Sequence, residues 1–425
     1  MRNDSSEEAE DSSANELFLW WLGDPSHPRL IGSLSLLANS GRVSNSVSLE
    51  YGESWLGSGF ALSEDLPLRK GEAFPIERDS AVGAVDDARP DRWGERVIRH
   101  VIRPPRLSTL DYLYFAGDQR FGALGVSRYS QAYQPYASEA LPTLGEVPEI
   151  FKLVRAIENG DSIAENLKRL ISPGATLGGA RPKALVSLDG VPWIIKFAEN
   201  GDTLDSPLIE HATMTLAGLA GVDHCETRIV KLKRGSVGQH ALLVKRFDRD
   251  GLFRRHAVSA KVALSAAGSS YGYPELALLF RRRGGAMAIE TNSIQIFRRM
   301  VFNVLIDNTD DHEKNHVLLM SASGLYELAP AFDVLPSGLG LGYQQMRLGK
   351  LGSESTIENA LSELSAFRLS KSTALSVCAE VAKAVNGWRE HFEKMGVAKK
   401  DIEALAVYLD GSRLKIQRLR AMAGN

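Results

Sequence analysis

Residues 307–316 read Asp-Asn-Thr-Asp-Asp-His-Glu-Lys-Asn-His, and two different chemistries share those letters. His312-Glu313-x-x-His316 matches the string that, on a helix, projects two zinc-binding histidines and a glutamate from one face. Asp310 and Asn315 match another spacing, D-x-x-x-x-N, by which a phosphotransferase loop supplies a base-like aspartate and a metal-binding asparagine. The flanks discriminate. Asn308-Thr309-Asp310-Asp311 is a run of turn and cap formers, and the HVLLM that follows reads as a strand, so the helix a zinc hydrolase needs is not written here. A third zinc ligand is not evident either. Downstream, HVLLM and LYELAP are separated by Ser321-Ala322-Ser323-Gly324, a hairpin signal. A hairpin of that length returns Asp333 toward Asn315, where two hard oxygen ligands can share Mg²⁺. The bland alternative is a capped loop with solvated charges.

A phosphotransferase also requires a Gly-rich loop, a lysine for the phosphates and an acidic partner for that lysine. Gly174, Gly178 and Gly179 lie in SPGATLGGARPKA, although Gly-rich turns are common. Lys196 sits in the strand-like WIIKF, where apolar neighbours call for an anionic partner. An edge strand with a snorkelling lysine is the other reading. Glu210 opens the next amphipathic stretch and either pairs with Lys196 or favours a helix N-terminus. The run Leu243-Val244-Lys245-Arg246-Phe247-Asp248-Arg249 reads as a strand end at a lobe junction, suited to hold adenine against apolar atoms and ribose against Asp248. A surface strand end has the same pattern.

The elements that must position these residues follow from composition and punctuation. A chain of 425 residues exceeds one ordinary core and implies two or three domains. With 44% hydrophobic and 24% charged residues the profile is globular, and no apolar run reaches membrane-spanning length. Residues 1–16 are acidic and Ser-rich, without the features of a signal or transit peptide, and are expected to be a disordered tail. Cys225 and Cys378 stand far apart, which suits buried thiols in a reducing cytoplasm and excludes a zinc ribbon. A net charge of −2 gives no electrostatic footprint of a nucleic-acid binder, and Arg281-Arg282-Arg283 reads as a solvated helix end.

Residues 17–130 form a strand-rich module, with one helical stretch in PDRWGERVIRHVI where Asp91 favours the N-terminus and Trp93, Val97 and Ile98 share a face. Three prolines mark 131–149 as a linker. Residues 150–250 then carry a helix to about residue 170, the Gly-rich loop, a hairpin signalled by Asp189-Gly190, the helix LIEHATMTLAGLAG and two further strands. Residues 251–425 read as mostly helical, interrupted by the one strand pair after the catalytic loop.

Together, Gly-Gly-Ala-Arg-Pro-Lys (178–183), Ile-Ile-Lys-Phe (194–197), Lys-Arg-Phe-Asp-Arg (245–249), Asn-Thr-Asp-Asp-His-Glu-Lys-Asn (308–315) and Ala-Pro-Ala-Phe-Asp-Val-Leu-Pro (329–336) resemble the HipA-type serine/threonine kinases, toxins of bacterial toxin–antitoxin modules. Pro90-Asp91-Arg92-Trp93-Gly94 and Gly122-Ala123-Leu124 extend the resemblance to the N-terminal module. It implies an α+β fold: a protein-kinase-like two-lobed core with a strand-rich N-terminal subdomain and a mostly helical C-terminal lobe. It further implies a catalytic Asp310, Mg²⁺ on Asn315 and Asp333, and Lys196 on the phosphates of ATP. Lys183, Gly178, Gly179, Ala180, Glu210 and His312 would complete the nucleotide site, with Lys245, Arg246, Phe247 and Asp248 at its hinge. Autophosphorylation would fall on Thr176, where serine is the familiar residue, or on Ser172. Asp311 stands where arginine is frequent. The implied partners are a HipB-like helix-turn-helix antitoxin, operator DNA reached only through that antitoxin, and a protein substrate such as an aminoacyl-tRNA synthetase, with no membrane involved. A catalytically weak corepressor and a zinc hydrolase are the rival readings.

Overall fold

The computed structural model describes residues 15–39, 42–137, 140–174, 179–232, 240–321 and 323–424. The acidic tail lies outside them up to residue 14, and Glu16 already begins a strand. Thr176 and Gly178 also fall outside the described residues.

The N-terminal module is built on a five-stranded antiparallel sheet of order β4-β3-β2-β1-β5: β1 (Glu16–Trp21), β2 (Arg29–Asn39), β3 (Arg42–Tyr51), β4 (Glu72–Ala73) and β5 (Leu124–Ser127). Its helix Arg92–Val97 is capped as the sequence predicts: the Asp91 side chain accepts from the Gly94 N–H, and Trp93 and Val97 are buried. The stretch 131–149, read as a linker, is tied down. Tyr133 donates its hydroxyl to Asp118 at 2.7 Å, and the Pro142 carbonyl accepts from the Ser187 N–H at 2.7 Å, so the stretch is packed on both neighbours, and Pro148 already lies in the first turn of the next helix. The expected long helix over 150–170 is divided. Val147–Asn159 ends at Gly160, whose left-handed backbone closes the helix, and a separate 3₁₀ turn covers Glu165–Leu170.

A second antiparallel sheet has the order β6-β7-β9-β8: β6 (Lys183–Leu188), β7 (Val191–Phe197), β8 (Thr227–Lys231) and β9 (His240–Lys245). Asp189 and Gly190 both adopt positive φ, 53° and 77°, the backbone a two-residue hairpin requires. Period-two alternation sorts β7. Trp193, Ile195 and Phe197 face a core shared with Trp93, Val97 and the Val147–Asn159 helix. Ile194 joins the opposite core with Leu208, Ile209 and Ala212 of the helix Ser206–Leu219, and Lys196 shares that face. The two strand faces therefore have different duties: one docks the N-terminal module, the other presents the lysine.

A two-residue hairpin, β10 (Arg249–Asp250) with β11 (Phe253–Arg254), precedes the helical remainder. There the sequence reading misses a strand. β12 (His256–Ser259) pairs with β13 (Val317–Met320), which forms the expected hairpin with β14 (Tyr326–Leu328). Four residues are too few to announce a strand by periodicity, and long-range pairing with β13 supplies what local propensity does not. The long helix Ala286–Leu305 leads directly into the loop that ends at β13.

Candidate active site

The loop between the long helix and β13 contains no helix able to align two histidines. Glu313–Asn315 is a single 3₁₀ turn. His312 caps it, its Nδ1 accepting from the Lys314 N–H at 3.3 Å, whereas His316 is buried with Nε2 on Asp311 Oδ2 at 2.8 Å. The zinc reading loses its geometry.

Adjacent aspartates in this loop face opposite environments. Asp311 is buried and accepts from His316 and from the Tyr273 hydroxyl. Asn303 donates to the same hydroxyl at 3.1 Å, and Asn308 donates to Asn303 at 3.1 Å. Burial opposes the charge of Asp311, but His316 and Tyr273 more than offset it and hold its pKa below the usual value. Asp311, which departs from the pattern the loop resembles, thus has a structural partner in His316. Asp310 is exposed, and Gln345 donates to its Oδ1 at 2.7 Å. A cleft of about 630 Å³ opens beside it, lined by Asp310, His312 and Lys314, by Gly179 and Ala180 at the end of the Gly-rich segment, and by Asp91 of the N-terminal module.

The hairpin of β13 and β14 returns the chain, with the Ala329 N–H donating to the Val317 carbonyl at 2.9 Å. Asn315 lines the same small cavity as Phe332 and Val334, the two neighbours of Asp333. Asp333 adopts φ 58°, a left-handed conformation that aspartate tolerates better than most residues. Its Oδ1 lies 2.6 Å from Lys196 Nζ, which also contacts Glu210 Oε1 at 2.7 Å. Burial disfavours the Lys196 ammonium, but Asp333 and Glu210 outweigh that cost and raise its pKa. The two carboxylates respond oppositely: burial dominates at Glu210 and raises its pKa, while at Asp333 the pull of Lys196 overcomes burial and lowers it. The edge-strand reading of Lys196 fails, because β7 is internal and the ammonium is enclosed between two acids.

The strand end after β9 divides into two groups. Phe247 is half-buried, its ring 5.5 Å from that of Phe332 and 6.1 Å from that of Phe121. Lys245 is exposed beside Glu226, 3.4 Å away. Asp248 and Arg246 are corrections to the sequence reading. Asp248 is fully enclosed, accepting from Arg246 at 2.7 Å, Arg249 at 2.8 Å and the Gly122 N–H at 2.8 Å, and these cations hold its carboxyl well below the usual range despite its burial. Arg246 also donates to the carbonyls of Gln119 and Arg120. Both join the sheet to the N-terminal module, so Asp248 has no oxygen left over for a ribose.

Lys183 differs from expectation in the same way. Its Nζ lies 2.5 Å from Asp91 Oδ2, with both side chains buried, and its carbonyl accepts from the Trp93 indole N–H at 2.7 Å. Ser172 is half-buried immediately before Pro173. Sequence reasoning identified Asp91 as a helix cap and Trp93 as a core residue but gave neither a partner 90 residues away. It also missed Gln345 and the Tyr273–Asp311–His316 network, for which no local spacing exists.

Residues suited to a divalent cation are present. The Asn315 Oδ1 is buried with no hydrogen-bond partner among the described residues, and an unsatisfied buried amide oxygen is a donor type that Mg²⁺ accepts.

Residues 27–127 match the HipA N-terminal domain family, and residues 175–388 match the HipA-like C-terminal domain family. A protein of Sinorhizobium fredii named "Putative kinase Y4dM" is 31% identical over 157 residues, covering 34% of this chain; the match spans only 37% of that relative's length. Among solved structures, a chain of the Shewanella oneidensis MR-1 toxin–antitoxin complex of HipA, HipB and its operator DNA superposes with a TM-score of 0.64 at 19% identity, covering 96% of both chains. The Helicobacter pylori proinflammatory kinase CtkA aligns with 58% of this chain and 93% of its own, at 14% identity and a TM-score of 0.44. The Shewanella likeness establishes the α+β architecture with its strand-rich N-terminal part.

Proposed function

Because the chain belongs to the HipA family, we propose that it is an ATP- and Mg²⁺-dependent protein kinase that phosphorylates a serine or threonine hydroxyl of a protein target, and that it serves as the toxin of a toxin–antitoxin module. The observation that carries this reading is the enclosed triad Glu210–Lys196–Asp333. A lysine held by an acid on the adjoining helix, and touching the aspartate that follows the catalytic hairpin, is the arrangement phosphoryl transfer uses to fix phosphate charge.

The chemistry asked of the protein is positioning and electrostatics. Glu210 keeps Lys196 ionised and aimed, so that its ammonium can meet phosphate oxygens. Phe247 and Phe332 supply apolar surface for a base. Asp310, lining the cleft with Gln345 steadying its Oδ1, orients the acceptor hydroxyl and takes its proton. Asn315 and Asp333 would hold Mg²⁺, which neutralises developing phosphate charge. The rival corepressor reading would leave these polar residues without work, and the full set is retained. Autophosphorylation at Thr176 or Ser172, a HipB-like antitoxin that brings the chain to operator DNA, and an aminoacyl-tRNA synthetase target belong to the same proposal. So does the division into a module at 17–130, a connection at 131–149, an N-lobe at 150–250 and a C-lobe at 251–425.

Titration of ATP into the protein with and without Mg²⁺ tests the site. Mg²⁺ should tighten binding to wild type, and Asn315→Ala should lose about tenfold of that gain. Equal affinity with and without Mg²⁺ in wild type would contradict the metal assignment.

A further inference from the structure

We infer that the helix Arg92–Val97 of the N-terminal module is a positioning element of the nucleotide site, holding both flanks of the Gly-rich segment through Asp91, Trp93 and Gly94; this rests on the kinase reading above. On the downstream flank, the Asp91 carboxylate grips the Lys183 ammonium at 2.5 Å, with only 9% and 2% of the two side chains exposed. The Trp93 indole binds the Lys183 carbonyl at 2.7 Å, and Lys183 Nζ reaches the Gly179 carbonyl at 3.4 Å. The upstream flank meets the same helix. A Cβ added to Gly94 would lie 2.2 Å from the Pro173 carbonyl oxygen, so only glycine admits that approach. Gly174 presses equally closely on the module, with the Ala116 carbonyl oxygen 2.4 Å from where its Cβ would be.

The contacts of Asp91, Trp93 and Gly94 converge on one six-residue helix and its cap, and reach both flanks. Asp91 serves twice, since one carboxylate oxygen caps that helix and the other binds Lys183. An unpaired ammonium at a site this buried is costly, so the ion pair defines where Lys183 sits. Lys183 is then a positioning residue, its ammonium tying Asp91 of the module to the Gly179 carbonyl. The N-terminal module thereby fixes the frame on which both flanks of the Gly-rich segment are hung.

The test is a fluorescent-ATP titration of the full chain, followed by steady-state kinetics, on wild type, Asp91→Asn and Trp93→Phe. Asparagine remains a good helix cap, so Asp91→Asn removes the ion pair and spares the helix end. Both variants should bind nucleotide about tenfold more weakly, with a matching rise in KM for ATP and kcat within about twofold of wild type. Unchanged or tighter binding by Asp91→Asn would overturn the inference, since a released Lys183 would then be reaching the phosphates directly. Should Asp91→Asn fail to fold, Trp93→Phe decides by the same criterion. If wild type itself bound no nucleotide, the kinase reading would fall, and the inference with it.

Discussion

The catalytic loop and the Gly-rich segment are held in contrasting ways. Around the loop, partners are near in sequence: His316 is five residues from Asp311, and Asn308 five from Asn303. Even the more distant supports, Tyr273 and Gln345, come from the same helical lobe. The flanks of the Gly-rich segment are instead fixed by residues 90 and 92 positions away in the N-terminal module. The loop carries its own scaffold, and the phosphate-facing segment borrows one. On the proposed reading the strand-rich module is a support of the nucleotide site, and damage to each region should leave a different kinetic signature.

A large contrast between the two regions should come from Asp311→Asn, which keeps the shape but removes the charge opposite His316. Misplacing Asp310 by about an ångström should lower kcat by about a hundredfold. Nucleotide affinity should change by less than about twofold, because the disturbed network does not touch the Gly-rich flanks. Equal losses in both quantities would mean that the two regions are not separately supported. The Asp91→Asn variant is the mirror image, with the smaller loss appearing in binding.

A separate effect, on stability rather than kinetics, concerns a tie by which the N-terminal module reaches the catalytic loop. Asp87 accepts from the N–H and hydroxyl of Ser259 at 2.6 and 2.7 Å, and the next residue, Ala260, donates to the His316 carbonyl at 2.7 Å. Burial pushes the Asp87 pKa up to about 6, only partly opposed by the Ser259 hydrogen bonds. A raised carboxyl pKa means the folded state holds its proton longer than the unfolded state. Stability therefore falls as pH rises from about 4 to 6, by about 3 kcal/mol for this group, and stays lower above. Thermal melts of wild type and Asp87→Asn should show the variant gaining on wild type between pH 4.5 and 7.5. A gap that does not change with pH would refute the assignment.

What the sequence made legible follows the same division. The Asp189-Gly190 turn and the hairpin of β13 and β14 are local patterns, and each is found in place. Lys196 was recognisable because a cation among apolar strand residues needs an acid. Asp248 misled because its position at a strand end looked exposed, whereas Arg246, Arg249 and Gly122 enclose it from across the junction. Lys183 misled for the same reason. Partners far away in the chain leave no spacing to read, and β12 went unseen because its pairing with β13 spans some sixty residues of chain.

The central claim is phosphoryl transfer dependent on Asp310. The direct measurement is transfer of label from γ-labelled ATP, with Mg²⁺, to protein by wild type and Asp310→Asn, using material shown by mass spectrometry to be unmodified at Thr176 and Ser172. Wild type should incorporate label, and the variant should do so about a thousandfold more slowly while still binding ATP. Folded wild type that binds ATP yet transfers nothing to itself or to any lysate protein, or equal labelling by both proteins, would contradict the account.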